Sequence, residues 1–478
     1  MALLLFSLLA APAAAQQHPA ALTLPEVIAL ALDQSAVARQ AQTTRDQGYW
    51  QWRTYQATYR PQLGVQGTLP GFSRVITPVV QPDGTTDFRA VRINNSNLAL
   101  TLSQNLGLTG GQVVVASEVQ RFDDFNGRLR RYNNQPLALG LTQPIGRFNE
   151  LRWNRRLEPL RYQESQRQYV EEREIIMQRI TELYFDVVQQ QVNAEVAGQN
   201  VQANEELLRI GQERYRLGRL SQSDLLRLEL NLLTARQAVA QSQLDAQDAA
   251  LRLQRYTGLR PADAPLAVPE AAPAPPVLPA TALDQARQNR AAVLAFRRRL
   301  LEAEREVALA RGTTGFQATL TANLGYVNQA SNLWETYAAL QNQQQVRLTF
   351  ALPVVDWGRQ KSILKTAELT RRQVQADVAQ EEAAFEADVQ VQAAQLGTLA
   401  RQLALAARAD TLARRRYDIA QATYKVGRIS LTDLTLALGE KDQARRAYIQ
   451  ALRAAWVGHY RLRALTLYDF ERQQPLTE

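Results

Sequence analysis

Six stretches of the chain alternate between apolar and polar residues with a period of two, which is the pattern of a strand with one apolar face. Leu63 and Val65 belong to the first run, and Leu348 and Phe350 to the last. Each run has about the 9–11 residues of a tilted membrane strand, although any single run would also suit a soluble sheet. The alternation predicts strands at about 62–70, 96–106, 112–122, 136–145, 317–327 and 345–354.

Between the strands, the apolar residues repeat with the period of an α-helix. Ile176, Ile180, Leu183 and Val187 follow the 4-3-4 spacing of a coiled-coil seam. The pattern predicts long helices at 147–216 and 356–425, return helices at 223–256 and 432–467, and further helices at 24–60 and 281–311. Residues 259–280 are rich in Pro and Ala, which predicts an extended linker at mid-height of the helices. Residues 468–478 are predicted to form a C-terminal tail.

One turn sequence occurs twice. Residues 215–225 read Tyr-Arg-Leu-Gly-Arg-Leu-Ser-Gln-Ser-Asp-Leu, and residues 424–434 read Tyr-Lys-Val-Gly-Arg-Ile-Ser-Leu-Thr-Asp-Leu. The Gly of each copy is expected to end a helix in the left-handed conformation, and the Ser to cap the next helix, whose first turn holds the Asp. The sequence therefore predicts tight turns at 217–222 and 426–431, each joining a long helix to a return helix.

The two turns belong to a longer internal repeat with an offset of 209 residues. Under this shift Pro144 falls on Pro353 and Arg252 on Arg461, and no gap is needed between them. The match predicts two structural repeats, residues 16–258 and 281–467. A helix of about 70 residues spans about 105 Å, and the two shorter helices of each repeat, stacked end to end, nearly match that length. The strands would then lie at one end of a rod and both turns at the other.

Composition narrows the possible functions. The formal net charge is +9, but Arg residues alternate with Asp and Glu along the helices, which favours solvated helix faces over a nucleic-acid site. The absence of Cys excludes disulfides, and two His and two Met exclude a metal site rich in those residues. The sequence contains no nucleophile–base pair, phosphate loop or metal-ligand spacing. We therefore expect no enzymatic activity and no cofactor, and we assign no role to His18 or His459.

The N-terminus resembles a secretory signal peptide. An apolar run leads to the Ala-x-Ala pattern of residues 13–15, which predicts a signal peptide over 1–15 and cleavage before Gln16. No basic residue precedes the apolar run, so we expect the start codon to lie upstream. Gln16 stands where a lipid-anchored protein has Cys, so we expect no lipid anchor. No later run reaches the length of a transmembrane helix, so contact with a membrane would use strands.

Together these features resemble the TolC family of outer-membrane efflux proteins. The resemblance covers nearly the whole chain after residue 15 and rests mainly on the twin turns, with the Leu-Pro-Glu-Val entry at 24–27 and Thr-Gln-Pro at 142–144. It implies a mixed α and transmembrane β fold, in which a trimeric outer-membrane β-barrel continues as a long periplasmic α-helical tunnel. It also implies a non-enzymatic channel of a tripartite efflux or type I secretion system in a Gram-negative bacterium. The implied partners are two further copies of the chain, a periplasmic adaptor, an inner-membrane pump and outer-membrane lipid, without nucleic acid.

The resemblance also implies roles for the turns. Contact with the adaptor is implied for the tip residues Gly218, Arg219, Leu220, Ser221, Gly427, Arg428, Ile429 and Ser430. The implied candidates for a periplasmic gate are Asp433, Asp224, Tyr424 and Tyr215. The residues alone allow another reading, in which both Asp are helix-capping acids and both Tyr are seam residues. Either a membrane-interface belt or ordinary packing would suit Trp334, Tyr337 and Trp357.

The chain departs from the family pattern in two places. Family members commonly supply four strands per protomer, whereas residues 71–134 insert an extra pair here, which leaves the size of the barrel open. In the second turn Leu436 stands at the position of a second acid and Ile429 at that of an Arg, which predicts a simpler gate. The alternative interpretation is a periplasmic adaptor or a coiled-coil scaffold without channel activity. An adaptor would carry a single helical hairpin and a lipoyl-like half-motif, and a scaffold would lack a signal peptide.

Overall fold

The computed structural model describes residues 21–259, 265–269 and 277–477, and the chain forms two units. The helical unit contains the described residues up to Arg45, those of Gln166–Ala291, and those from Ala384 onward. The sheet unit contains Asp46–Ser165 and Ala292–Ala383. The predicted signal peptide, His18 and most of the predicted linker lie outside the described residues. Across the described ranges, no helix is both long and apolar enough to cross a membrane.

One antiparallel sheet forms the centre of the sheet unit. Its strands occur in the order β1-β3-β4-β5-β6-β7, and β2 pairs with β3 beside β1. All of the pairings are antiparallel. The strands are β1 (Gln62–Thr68), β2 (Phe72–Val80), β3 (Thr86–Leu106), β4 (Gly111–Asp124), β5 (Leu129–Ile145), β6 (Gln317–Ala330) and β7 (Gln341–Ala351).

The sheet has one strand more than the alternation predicts. Residues 71–95, which lie between the first two predicted strands, contain β2 and the first part of β3, which begins at Thr86 instead of near 96. β2 continues the line of β1 along the same partner, so the sheet still has six strand positions. The alternation missed β2 because Arg74 and Pro78 interrupt it. Pro78 is tolerated there because an edge strand leaves one side of its backbone unpaired.

Eight helices are found in the described part of the chain. The two long helices have 67 residues each and the two return helices 36 each, and the members of each pair start and end 209 positions apart. The helices are α1 (Leu24–Gln34), α2 (Ala36–Thr58), α3 (Glu150–Arg216), α4 (Gln222–Thr257), α5 (Pro279–Asn289), α6 (Ala291–Thr314), α7 (Arg359–Lys425) and α8 (Leu431–Thr466).

Two helices that the periodicity predicts as continuous are each broken once. The predicted helix at 24–60 divides at Ser35, whose backbone is extended and whose hydroxyl oxygen accepts from the Ala38 N–H at 3.1 Å. The predicted helix at 281–311 divides at Arg290, which is also extended and pairs with Glu171 at 3.0 Å. The apolar period continues across both breaks, so the pattern alone cannot reveal them. The predicted tail also forms a small hairpin of β8 (Tyr468–Asp469) and β9 (Gln474–Pro475).

Ion pairs fix the order of the four main helices within the helical unit. Arg236 of α4 pairs with Glu205 of α3 at 2.9 Å. Asp186 of α3 pairs with Arg453 of α8 at 2.9 Å. Arg445 of α8 lies 3.5 Å from Asp410 of α7. The order is therefore α4-α3-α8-α7, and the core between α3 and α8 includes the fully buried Ile180, Tyr184, Phe185, Val188, Ile449 and Leu452.

Candidate functional site

The two repeated turns have the same backbone geometry. Gly218 and Gly427 take positive φ values of 72° and 77°, which an L-residue adopts only at a cost. The Arg219 N–H donates to the Arg214 carbonyl at 2.8 Å, and the Arg428 N–H donates to the Thr423 carbonyl at 3.1 Å. These bonds satisfy carbonyls that a helix end leaves without donors, in the manner of a Schellman motif.

Both predicted capping residues act as caps. The Ser221 hydroxyl oxygen accepts from the Asp224 N–H at 3.1 Å, and Ser430 accepts from the Asp433 N–H at the same distance. The Asp433 carboxylate in turn accepts from the Ser430 N–H at 3.3 Å, which completes a capping box. Asp433 is nevertheless exposed to solvent, whereas Asp224 is half-buried. The capping bonds therefore leave the Asp433 charge at the surface.

The two turns lie together, and Arg214 joins them. Its guanidinium donates to the Tyr424 carbonyl at 3.0 Å and lies 4.8 Å from the centroid of the Tyr424 ring. A second link runs from Arg227 to the Thr432 hydroxyl at 3.3 Å. Arg214 gives no repeated signal in the sequence, because the 209-residue shift pairs it with Thr423.

The remaining candidate residues divide into a buried and an exposed group. Tyr424 is 2% exposed, whereas its counterpart Tyr215 is 42% exposed, so the two Tyr residues are not equivalent. Leu220 and Ile429 are half-buried and pack against a tip cluster of buried residues, which includes Leu207, Leu228, Tyr417, Tyr424, Leu431 and Leu434. The residues that remain at the surface of the tip are Gly218, Arg219, Ser221, Gly427, Arg428 and Ser430.

The two faces of the sheet differ in chemistry. Residues that pair across an antiparallel ladder project to the same side. One such row consists of Leu63, Leu102, Val115, Leu139 and Leu324. A row on the opposite side consists of Asn105, Gln112, Thr142, Thr321 and Arg347. The apolar face, as we call the first side, exposes Leu63, Val65, Leu98, Leu100, Leu102, Leu137, Leu139, Leu324, Tyr326, Val346, Leu348 and Phe350.

Aromatic residues near the sheet are also exposed. Trp334 and Tyr337 bound a 3₁₀ turn between β6 and β7, and they are 78% and 47% exposed. Trp357, just before α7, is 96% exposed. None of the three is packed in the interior of the sheet unit as the structure describes it.

Two helices carry apolar stripes that the rest of the described chain leaves exposed. On α4 the stripe consists of Leu226, Leu230, Leu233, Leu244 and Leu251. On α7 it consists of Leu405, Leu412 and Ile419, each seven residues from the next, and Val426 continues this spacing just after the helix ends at Lys425. Such spacing is that of a coiled-coil seam, and α4 and α7 stand at the two ends of the helix order. Both stripes therefore resemble halves of an interface.

The described residues contain no cluster of His, Asp or Glu suited to a metal ion. Two buried ionisable groups lie within the packed helices instead. Glu174 is 3% exposed and forms two hydrogen bonds of 2.9 Å with Arg463. His459 is buried on α8, and burial lowers its pKa to about 4, with a further contribution from Arg463. Neither group faces the turns.

A family model and several solved structures are similar to this chain. A family model described as outer membrane efflux protein matches residues 91–259 and 282–466. No curated protein sequence matches the chain. The fold is similar to the CmeC outer membrane channel of Campylobacter jejuni, with a TM-score of 0.65, 16% identity and coverage of 93% of this chain and 85% of that one. It is also similar to the outer membrane protein VceC of Vibrio cholerae, with a TM-score of 0.63, 16% identity and coverage of 95% and 96%.

A third similar structure is the open state of the MtrE outer membrane channel of Neisseria gonorrhoeae. The TM-score is 0.62 at 16% identity, with coverage of 93% of this chain and 88% of that one. At such identities the likeness concerns the fold. The family model begins at residue 91, so β1 and β2 lie outside the matched segments.

Proposed function

The chain belongs to the outer membrane efflux protein family, and we propose that it is the outer-membrane channel of a tripartite efflux or type I secretion system. In this role it is a passive duct for substrates that an inner-membrane pump and a periplasmic adaptor deliver. The observation that carries the proposal is the apolar face of the sheet, where large side chains such as Leu348 and Phe350 remain exposed. A large exposed apolar surface marks a site of contact with lipid or protein, and the face opposite is polar.

The proposed assembly is a homotrimer. Its support lies in surfaces that one chain leaves incomplete, namely the free edges of β1 and β7 and the apolar stripes of α4 and α7. A head-to-tail contact that joins α4 of one copy to α7 of the next can generate a closed ring. In that ring the four main helices of each copy would line a periplasmic tunnel.

We assign the tip of the two turns to the periplasmic mouth of the channel. The exposed residues Gly218, Arg219, Gly427 and Arg428 form the surface proposed to dock the adaptor. Asp433 is the proposed gate residue, because its charge is at the surface although its carboxylate caps α8. Asp224, Tyr215 and Tyr424 are the further gate candidates.

The alternative of an adaptor or scaffold receives no support from particular contacts. A soluble scaffold would not be expected to expose the apolar face of a sheet to water. An adaptor would have one long helical hairpin, whereas this chain has two.

Fractionation of cells and conductance recording test the proposal together. We expect the protein in the outer-membrane fraction, a mass in detergent close to three chains, and stable ion conductance in planar bilayers. A monomer in the soluble periplasmic fraction that gives no conductance would contradict the proposed function.

A further inference from the structure

Each edge strand of the sheet is paired on one side only. β1 forms hydrogen bonds with β3, and β7 with β6. Every residue of both strands is exposed. The hydrocarbon core of a bilayer contains no water to bind the free N–H and C=O groups of such an edge, so spanning sheets must be closed. The single chain therefore presents two edges that a membrane environment requires to be paired.

The directions of the strands allow one edge to pair with the other. Each of the six strand positions is antiparallel to its neighbour, so β1 and β7 run in opposite directions. When β1 of one copy meets β7 of another, the junction is thus antiparallel, like every other ladder in the sheet. Such a contact joins two different surfaces of the same chain, and repeated contacts of this kind can close into a ring.

The stagger of the sheet is that of a closed barrel. The pairing row that begins at Gln62 passes through Ser103, Val114, Gly140 and Asn323 to Gln345. Gln345 lies six residues before the end of β7 at Ala351. The offset corresponds to about 20 Å along the strand direction. The five strand spacings that the row crosses measure about 24 Å. The resulting tilt is about 40°, and membrane barrels have tilts of roughly 35–45°.

We propose that three copies of the chain close one eighteen-stranded barrel, in which β1 of each copy pairs with β7 of the next. The copy number rests on the proposed trimer, and the strand number follows from three sheets of six strand positions each. In the junction we propose, the first residue of β1 lies opposite the last residue of β7, so that Gln62 lies opposite Ala351, and Val65 opposite Leu348.

This register also keeps the chemistry of the two faces continuous. Val65 and Leu348 both belong to the apolar face, so the apolar band crosses the junction without interruption. A shift by one residue would place Val65 beside Thr349 of the polar face, because side chains alternate with a period of two. The pattern of the two edge strands is therefore compatible with this junction and excludes a shift by one residue.

An eighteen-stranded barrel has a consequence for transport. Barrel diameter grows roughly linearly with strand number, and barrels of 16–18 strands enclose an aqueous channel that their own side chains do not fill. The inward face would be lined by small and polar residues such as Thr101, Gly140, Thr142 and Asn323. The outer-membrane end would then offer an open aqueous pore, and any barrier to passage would lie at the tip of the helices.

Cross-linking between engineered Cys residues tests the junction, and the absence of native Cys keeps the background clean. Oxidation of the Val65→Cys, Leu348→Cys variant in membranes should give covalent dimers and trimers on denaturing gels. Leu63→Cys with Phe350→Cys is a second pair in the same register and should behave alike. Gln66→Cys with Leu348→Cys places the thiols on opposite faces and should remain monomeric.

Electron cryomicroscopy of the detergent-purified trimer then counts the strands. Eighteen strands in cross-section are expected, with β1 beside the β7 of a neighbouring copy. Any other count, or the absence of cross-links in both same-face pairs, would overturn the eighteen-stranded barrel. A conducting outer-membrane trimer with such a result would leave the proposed function standing, whereas a soluble monomer would contradict both.

Discussion

Arg214, near the end of the first long helix, binds Tyr424, near the end of the second. Its guanidinium lies 4.8 Å from the ring centroid of Tyr424 and donates to the carbonyl oxygen of the same residue at 3.0 Å. A second, longer bond of 3.4 Å reaches the Lys425 carbonyl. These carbonyls end α7, where intrahelical donors are lacking and a positive charge is favourable. One side chain thus combines a helix cap with a cation–π contact.

We expect Arg214→Ala to loosen the tip by about 1–3 kcal/mol, since it removes a charged hydrogen bond and the stacked cation. The measurement is the rate of limited proteolysis at residues 426–431 in the purified channel, which should rise. Arg216→Ala is the matched control, because Arg216 bonds only to Glu213 of its own helix, at 3.2 Å, among the contacts described for it. Equal proteolysis rates in the two variants would show that Arg214 does not join the turns.

Substitution of the turn glycines should impair export more than assembly. Gly427→Val forces a β-branched residue to φ near 77°, at a cost of roughly 1–2 kcal/mol or more. We expect weaker export with an intact trimer, because the strain is confined to the proposed adaptor surface. Gly439→Val is the control, since Gly439 lies within α8 and a Cβ there meets open space. Normal export by both Gly427→Val and Gly218→Val would contradict the tip assignment.

Charge should be tolerated on only one face of β7. Leu348 is on the apolar face and Thr349 on the opposite face of the same strand. In lipid, an Arg at the middle of a bilayer costs about 2–4 kcal/mol. We therefore expect Leu348→Arg to reduce the yield of heat-modifiable trimer in the outer membrane, and Thr349→Arg to leave it near that of the wild type. Equal yields would mean that the apolar face does not contact lipid.

The buried His459 should make the helical unit sensitive to mild acid. Burial lowers its pKa from 6.5 to about 4, and the nearby Arg463 acts in the same direction while Asp469 opposes it. As the pH falls, the unfolded chain therefore binds a proton before the folded chain does. The free energy of unfolding is therefore highest, as far as His459 is concerned, above about pH 6.5. It decreases by roughly 3 kcal/mol as the pH approaches 4.

Thermal unfolding in detergent at pH 7 and pH 5 measures this effect. The midpoint of the wild type should fall between the two pH values, and the fall should be smaller in His459→Phe, which keeps an aromatic ring beside Tyr460. Carboxylates contribute to acid sensitivity in both proteins, so the difference between the two slopes is the informative quantity. Identical slopes would assign the acid sensitivity to groups other than His459.

Hydrophobic periodicity reveals which residues share a face, and it does so well here because the sheet and the long helices each bury or expose one side. The alternating residues, such as Leu102, Leu139 and Leu324, do lie on one face of the sheet. Periodicity reveals less where polar chemistry decides the backbone. Ser35 breaks a helix without breaking its apolar pattern, and β2 contains polar residues and a Pro at a free edge.

For a related reason, the sequence predicts only part of the candidate site. Repetition identified the Gly, Ser and Asp residues of both turns, because each copy needs the same cap chemistry. The contact between the turns is asymmetric, however, and repetition cannot identify it. Arg214 has no counterpart in the second copy, and the two Tyr residues differ in burial although their sequence positions correspond.

Asp433 has two separable roles, as a charge at the mouth of the proposed channel and as a helix cap. In the proposed trimer, three copies of this carboxylate gather at the periplasmic mouth, where their mutual repulsion attracts a multivalent cation. Asp433 also accepts from the Ser430 N–H at 3.3 Å, so replacement by Ala removes the charge and the cap together. Asp433→Asn removes the charge but keeps a side-chain oxygen that can accept that bond. We expect trivalent cations on the periplasmic side to block the wild-type channel and to lose this effect on Asp433→Asn.

Asp224→Asn is the matched control, because Asp224 occupies the equivalent position in the first turn and accepts from the Ser221 hydroxyl at 2.6 Å. It is half-buried, so its charge is less available at the mouth, and the block should persist in this variant. Asp433→Ala should lose the block and also about 1 kcal/mol of local stability, since it lacks the capping oxygen. Single-channel recordings with the cation added to one side at a time decide between the roles. An unchanged block in Asp433→Asn would leave Asp433 as a helix cap alone and end its assignment to the gate.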